Sequence, residues 1–78
     1  MKKIIIKSEF EWLIKRYMVK AHIRSLAELA KETGIQYRTL QNRILNPKLL
    51  RLFEIQALDC VLEFSDEDRI RIMRGEVA

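Results

Sequence analysis

The chain has 78 residues, 49% of them hydrophobic, with 15 Lys and Arg against 11 Asp and Glu. That length supports one domain with one small core, and a half-apolar composition can fold without a metal or disulfide staple. A single cysteine, Cys60, excludes an internal disulfide, suits a reducing compartment and reads as a small core residue.

No apolar run approaches the roughly 20 residues that cross a bilayer. The opening has a basic start, but its apolar stretch is only Ile4 to Ile6. A signal peptide needs a core of roughly 7–15 residues. A cytoplasmic protein is expected, with no membrane partner. The charge is unevenly placed. Residues 1–51 hold twelve Lys/Arg and four Glu, a balance of +8, whereas residues 52–78 hold three Arg and seven Asp/Glu, a balance of −4. The first part suits a polyanion, and the second does not.

Residues 1–7 form an N-terminal arm, β-branched in the middle, that reads as extended chain or an edge strand. Ser8 followed by Glu11 makes a capping box that opens the first helix. Phe10, Leu13, Ile14, Tyr17, Met18 and Ala21 then recur at helical spacing as one apolar stripe. Trp12 lies off that stripe and is expected to pack on the Ile4–Ile6 arm. The alternative is a partner surface, where aromatics are enriched. His22 reads as a helix-end or surface residue.

Ser25 and Glu28 make a second capping box. The helix that follows turns Leu26, Leu29 and Ala30 inward and ends at Gly34, where a left-handed residue is needed. Ile35 tucks inward. The third helix runs over residues 36–45 with Leu40 and Ile44 on its core side, and Asn46-Pro47 stops it. A fourth helix directs Leu52, Ile55, Leu58 and Leu62 inward. Ser65 caps a fifth, whose early acids Asp66, Glu67 and Asp68 complement its dipole. Ile70 and Met73 are expected in the core, and Gly75 at the closing cap. The fold class is therefore all-α: five helices in one domain spanning 1–78.

Residues 25–45 carry the most information. Ala30 is small where two helices would approach closest, Gly34 makes the turn, and Ile35 and Leu40 fill the gap. This is the layout of a helix-turn-helix, which places its second helix in the DNA major groove. The residues Leu29-Ala30, Gly34-Ile35, Thr39-Leu40, Asn46-Pro47 and the run Leu52, Ile55, Leu58, Leu62 resemble the lambda-repressor-like, or Cro/XRE-type, helix-turn-helix domains over about residues 8–74. The resemblance implies a compact five-helix DNA-binding domain, working as a homodimer on a near-palindromic site. It implies that the third helix reads bases and that the first residues of the second and third helices touch phosphates. Two positions depart from the pattern. Leu26 stands where a polar phosphate-holding residue is usual, and Arg43 where an apolar buried one is usual.

On the third helix, Arg38 is suited to a bidentate bond with guanine, and Gln41 and Asn42 to one with adenine; each such pair discriminates by about 1–3 kcal/mol. Tyr37 is suited to a sugar or a thymine methyl. No acidic residue occurs from Gly34 to Arg51, as a surface meant for DNA requires. The candidate phosphate contacts are Arg24, Ser25, Lys31, Gln36, Thr39, Arg43, Lys48 and Arg51. Arg43 has two readings. Its stem lies on the core, and its head reaches either a phosphate or an acid such as Glu54.

No metal cluster, phosphate-cradling glycine loop or nucleophile constellation is present in the sequence. No enzyme activity, cofactor, metal or small-molecule ligand is therefore expected. The expected role is a sequence-specific transcriptional regulator binding double-stranded DNA, of the kind phages and mobile elements carry. Two rivals remain: a protein-interaction module on the same fold, and a non-specific architectural DNA binder. The apolar surface expected for a second copy is the C-terminal region around Phe64, Ile72 and Val77, and next the Ile4–Ile6 arm with Trp12.

Overall fold

The computed structural model describes residues 9–76. The Ser8 half of the first capping box, the packing of Trp12 on Ile4–Ile6, and Val77 lie outside the described residues. Five α-helices occur among those residues: α1 Glu9–Lys20, α2 Leu26–Thr33, α3 Tyr37–Leu45, α4 Leu52–Leu62 and α5 Asp66–Met73. A 3-10 turn over Pro47–Leu49, which the sequence reading passed over, links α3 to α4. No strand is present among the described residues.

Helix ends follow local chemistry. Ser25 Oγ accepts the Glu28 amide at 3.1 Å, while the Glu28 carboxylate reaches back one residue further than expected, to the Arg24 amide at 2.9 Å. Ser65 Oγ likewise accepts the Asp68 amide at 3.2 Å. Gly34 closes α2 in the left-handed region at φ 77, and its amide donates to the Ala30 carbonyl at 2.9 Å. Gly75 closes α5 at φ 72, with the Glu76 amide returning to the Arg71 carbonyl at 2.9 Å.

Two helices end on a non-glycine residue in the left-handed region. His22 follows α1 at φ 61 and Glu63 follows α4 at φ 54. Each is succeeded by a buried apolar residue, Ile23 or Phe64. In such a terminus the next apolar side chain folds back onto the helix, and that contact holds the strained residue in place.

α2 and α3 pack against each other across the Gly34–Gln36 turn, α1 lies over α3 and α4, and α5 lies against α4. Phe10, Ile14, Leu29, Leu40 and Leu58 are the most deeply buried large side chains. Tyr17 extends this core to α5. Its ring meets Phe64 edge-to-face at 4.9 Å, its hydroxyl donates to Asp68 Oδ2 at 2.6 Å, and the Ser65 amide donates to that hydroxyl at 3.0 Å.

That anchor corrects the reading of α5. Asp68 is drawn inward by Tyr17, and the residue one turn on, Ile72, is buried with it; Ile70 and Met73 are turned to solvent, 50% and 57% exposed. Phe64 and Ile72 are therefore core, not spare surface. Arg69 fixes the same orientation from the other side. Its Nε donates to Asp59 Oδ2 at 2.7 Å and its Nη1 to Asp66 at 2.6 Å. These bonds, from Asp59 first, raise the Arg69 pKa above its ordinary value. Arg71 reaches Glu9 on α1 at 2.8 Å, and that bond raises its pKa in the same way.

α4 requires two further corrections. Its inward face at the first turn is taken by the Glu54 carboxylate, so Leu52, two positions earlier, points outward and is 56% exposed. Cys60 lies two positions from both Leu58 and Leu62. It faces away from them and is exposed rather than buried.

A Cβ at Gly34 would meet no atom within 4 Å, so the cost of any side chain there is purely conformational. Gly34→Ala should destabilise the fold by roughly 1–2 kcal/mol and Gly34→Val by more, because a β-branched residue is still less tolerant of positive φ. Denaturant melts of the two variants check this. A valine variant as stable as the wild type would contradict the left-handed turn.

Candidate nucleic-acid interface

α3 divides lengthwise into two faces. Leu40 and Ile44 are buried, one turn apart. Arg38, Gln41 and Asn42 are exposed on the opposite side, and Tyr37, 46% exposed, stands beside Gln41. Gln41 Nε2 donates to the Tyr37 hydroxyl at 3.2 Å, so these two side chains form one unit. Spacing of three and four residues puts Leu45 on the same outward stripe as Arg38, Gln41 and Asn42, and Leu45 is 50% exposed. The sequence reading left Leu45 out. The signal was present, because residue 45 lies one turn beyond Gln41. An apolar side chain there is suited to a thymine methyl group.

The phosphate candidates fall into three groups. Arg24, Ser25, Lys31, Lys48 and Arg51 are exposed. Arg24 and Ser25 form the entry to α2, Lys31 stands in its last turn, Lys48 lies on the 3-10 turn and Arg51 precedes α4. Gln36 is exposed at the α3 N-terminus, where its own side chain makes no cap, and Thr39 is half-buried. Leu26, whose place a polar residue usually takes, is half-buried against the core.

Arg43 forms the third group. Its Nε donates to Glu54 Oε1 at 3.0 Å, with the Arg43 side chain 17% exposed and that of Glu54 3%. The same Glu54 oxygen accepts the Arg51 amide at 2.9 Å, which caps α4 from inside. Arg43 Nη1 donates to Asn42 Oδ1 at 3.0 Å. Of the two sequence readings of Arg43, the acid contact is the one present. Glu54 is the one buried charged residue among the described side chains, and every buried polar side-chain atom among them has a partner.

A shallow groove of about 340 Å³ runs between α1 and the start of α2, floored by Met18, Ile23, Leu26 and Ile44, with Lys15, Arg24 and Ser25 at its rim. Among the described residues, no group of three His, Cys, Asp or Glu side chains converges as a metal site. No helix there is long and apolar enough to cross a membrane. Comparison of the chain with family models, with curated proteins and with solved structures finds no match.

A buried ion pair has a characteristic mutational signature. Breaking one partner leaves an uncompensated charge and costs about 3–5 kcal/mol, whereas replacing both by apolar groups is often neutral. Arg43→Met should therefore be severely destabilising, and the double variant R43M/E54L should recover most of the loss. A thermodynamic cycle over the four proteins measures it. Additive effects of the two substitutions would show that the pair does not act as a unit.

Proposed function

We propose that this chain is a sequence-specific DNA-binding transcriptional regulator with a lambda-repressor-like, Cro/XRE-type fold, and that α3 enters the major groove. One observation carries the reading. The outward stripe of α3 presents Arg38, Gln41 and Asn42, no acid occurs from Gly34 to Arg51, and Glu54, the next acid along, is buried and neutralised by Arg43. An ordinary solvated helix mixes charges of both signs on its open face. This one offers only donors, amides and a cation to whatever approaches it. Arg24, Lys31, Lys48 and Arg51 are exposed on the segments flanking α3 and supply the sequence-independent attraction to phosphate.

Arg38→Ala and Gln41→Ala should each reduce discrimination between selected and random DNA by about 1–3 kcal/mol, because a truncated side chain no longer reads its base edge. Both residues are exposed, so melting temperatures should move little. Binding titrations against both DNAs at fixed salt give the ratio. If either variant kept the wild-type ratio, α3 would not be the reading element.

A small domain reads too few base pairs alone, so we propose that two copies bind together, with their α3 helices about 34 Å apart in successive major grooves. We place the contact between copies on α5, through Ile70 and Met73. They lie three residues apart on one face and are both exposed, in the acidic part of the chain that phosphate repels. Sedimentation with a selected duplex should show two chains per site, and Ile70→Glu should reduce this to one. A single wild-type chain on an unrepeated site of about six base pairs would remove the dimer.

A protein-interaction module is the second reading. Leu49, Leu52 and Phe53 favour it, being 52%, 56% and 60% exposed around the start of α4. The two readings separate cleanly, since an interaction module shows no salt-dependent affinity for DNA.

A further inference from the structure

We infer that the outward stripe of α1 is the surface on which α5 of a second copy docks, so that two chains pair reciprocally through two α1–α5 contacts. The inference rests on the reading that two copies act together.

Two ties fix how α1 and α5 lie within one chain. Glu9 meets Arg71 at 2.8 Å, and Tyr17 meets Asp68 at 2.6 Å. Ascending α1 therefore means descending α5, and the helices are antiparallel neighbours. Successive residues of a helix are turned by about 100°. In antiparallel neighbours, one step back from each facing residue turns to the same side of the pair. Arg16 precedes Tyr17, Glu67 precedes Asp68 and Ile70 precedes Arg71, so these three open on one common surface. Trp12 and Val19 join it, because they lie four residues before and three after Arg16.

That surface carries opposite charges on its two helices and apolar side chains on both. Trp12 and Val19 on α1 are 49% and 75% exposed, and Ile70 and Met73 on α5 are 50% and 57% exposed. Arg16 and Glu67 are exposed and make no hydrogen bond or ion pair among the described residues. A twofold axis running between α1 and α5, and along them, satisfies both features at once. It lays α1 of one chain antiparallel on α5 of the other and keeps every residue at its own height. Arg16, at the height of the Tyr17–Asp68 tie, then meets Glu67 of the second copy. Trp12, between the two ties, meets Ile70 of the second copy. A stable pair buries roughly 800 Å² on each side. α5 against α5 would cover only Ile70 and Met73 and leave Trp12 in water. The reciprocal arrangement covers both stripes of each chain.

The test uses the whole chain without DNA. Trp12 is the only tryptophan, so its emission reports the contact without a label. With rising concentration the wild type should sediment as a dimer while Trp12 emission moves to shorter wavelength. Arg16→Glu and Glu67→Arg each put like charges face to face in both contacts, and each should weaken association by at least roughly tenfold. Both positions are exposed, so both variants should stay folded. An equimolar mixture of the two variants should associate again, because a mixed dimer has one wild-type pair and one reversed pair.

That rescue by mixing separates a contact between copies from one within a chain, which mixing cannot restore. Unchanged association of Arg16→Glu overturns the inference, as self-pairing of α5 would predict. So does a mixture as weak as its components, or a wild type that stays monomeric at every concentration. A monomer with the emission of a buried indole would further show that its own first residues cover the stripe. DNA binding is scored separately. A dimer with these properties that selects no DNA sequence leaves the inference standing and removes the regulator reading, whereas sequence selection by a monomer does the reverse.

Discussion

The carboxylate of Glu54 is the constraint on which the exposed face of α3 depends. A charge that is almost wholly removed from water is tolerable only if paired and hydrogen-bonded, and one oxygen of Glu54 meets both demands, accepting from Arg43 Nε and from the Arg51 amide. The first contact ties α4 to the last turn of α3, and the second starts α4 itself. With the carboxylate directed inward, the apolar neighbours Leu52 and Phe53 are left facing solvent. The outward position of α3 residues relative to the rest of the domain is thus set from below by a polar contact, while Leu40 and Ile44 supply the apolar seat.

A second polar contact does comparable work at the other end of the molecule. The Tyr17 hydroxyl accepts from the Ser65 amide and donates to Asp68, so one α1 side chain fixes both the start and the rotation of α5. Glu9 with Arg71 repeats the α1–α5 tie at the surface. An exposed ion pair of that kind contributes little by itself. The Tyr17 contact differs because its ring is buried against Phe64 and its hydroxyl is held in a defined place.

These two contacts also mark where the sequence stopped being legible. Helix termini were readable wherever a single local residue type determines them: Ser25 and Ser65 as caps, Gly34 as the left-handed stop, Asn46-Pro47 as the break. The apolar stripe of α1 and the buried pair Leu40 and Ile44 were readable because periodicity alone selects them. The face of α5 was not, since Ile70 and Met73 outnumber Ile72 and the choice was made by Asp68 bonding to a tyrosine 51 residues away. Leu52 was misplaced for a related reason, because the inward face there is taken by the acid Glu54, and Cys60 because its residue type was read without its phase on α4. His22 was legible as a helix-end residue but its positive φ was not, and the termination at Glu63 gave no sequence signal. The exposed face of α3 was legible as a list of side chains. How Asn42 and Gln41 are held was not, because both depend on neighbours whose rotamers only the folded helix defines.

The buried pair also bears on how such a surface can change over generations. Arg38 and Gln41 are exposed and bear little of the fold's stability, so their identities can vary one at a time at small thermodynamic cost. Arg43 and Glu54 cannot vary in that way. Removing Arg43 alone leaves the Glu54 charge unpaired in the core, and removing Glu54 alone strips the Arg43 guanidinium and the Arg51 amide of their acceptor; a domain of this size has only a narrow stability margin to absorb either. The two positions are therefore bound to be inherited together or exchanged together. Substitution in such a lineage would concentrate at Arg38 and Gln41, while the Arg43–Glu54 pair stayed fixed.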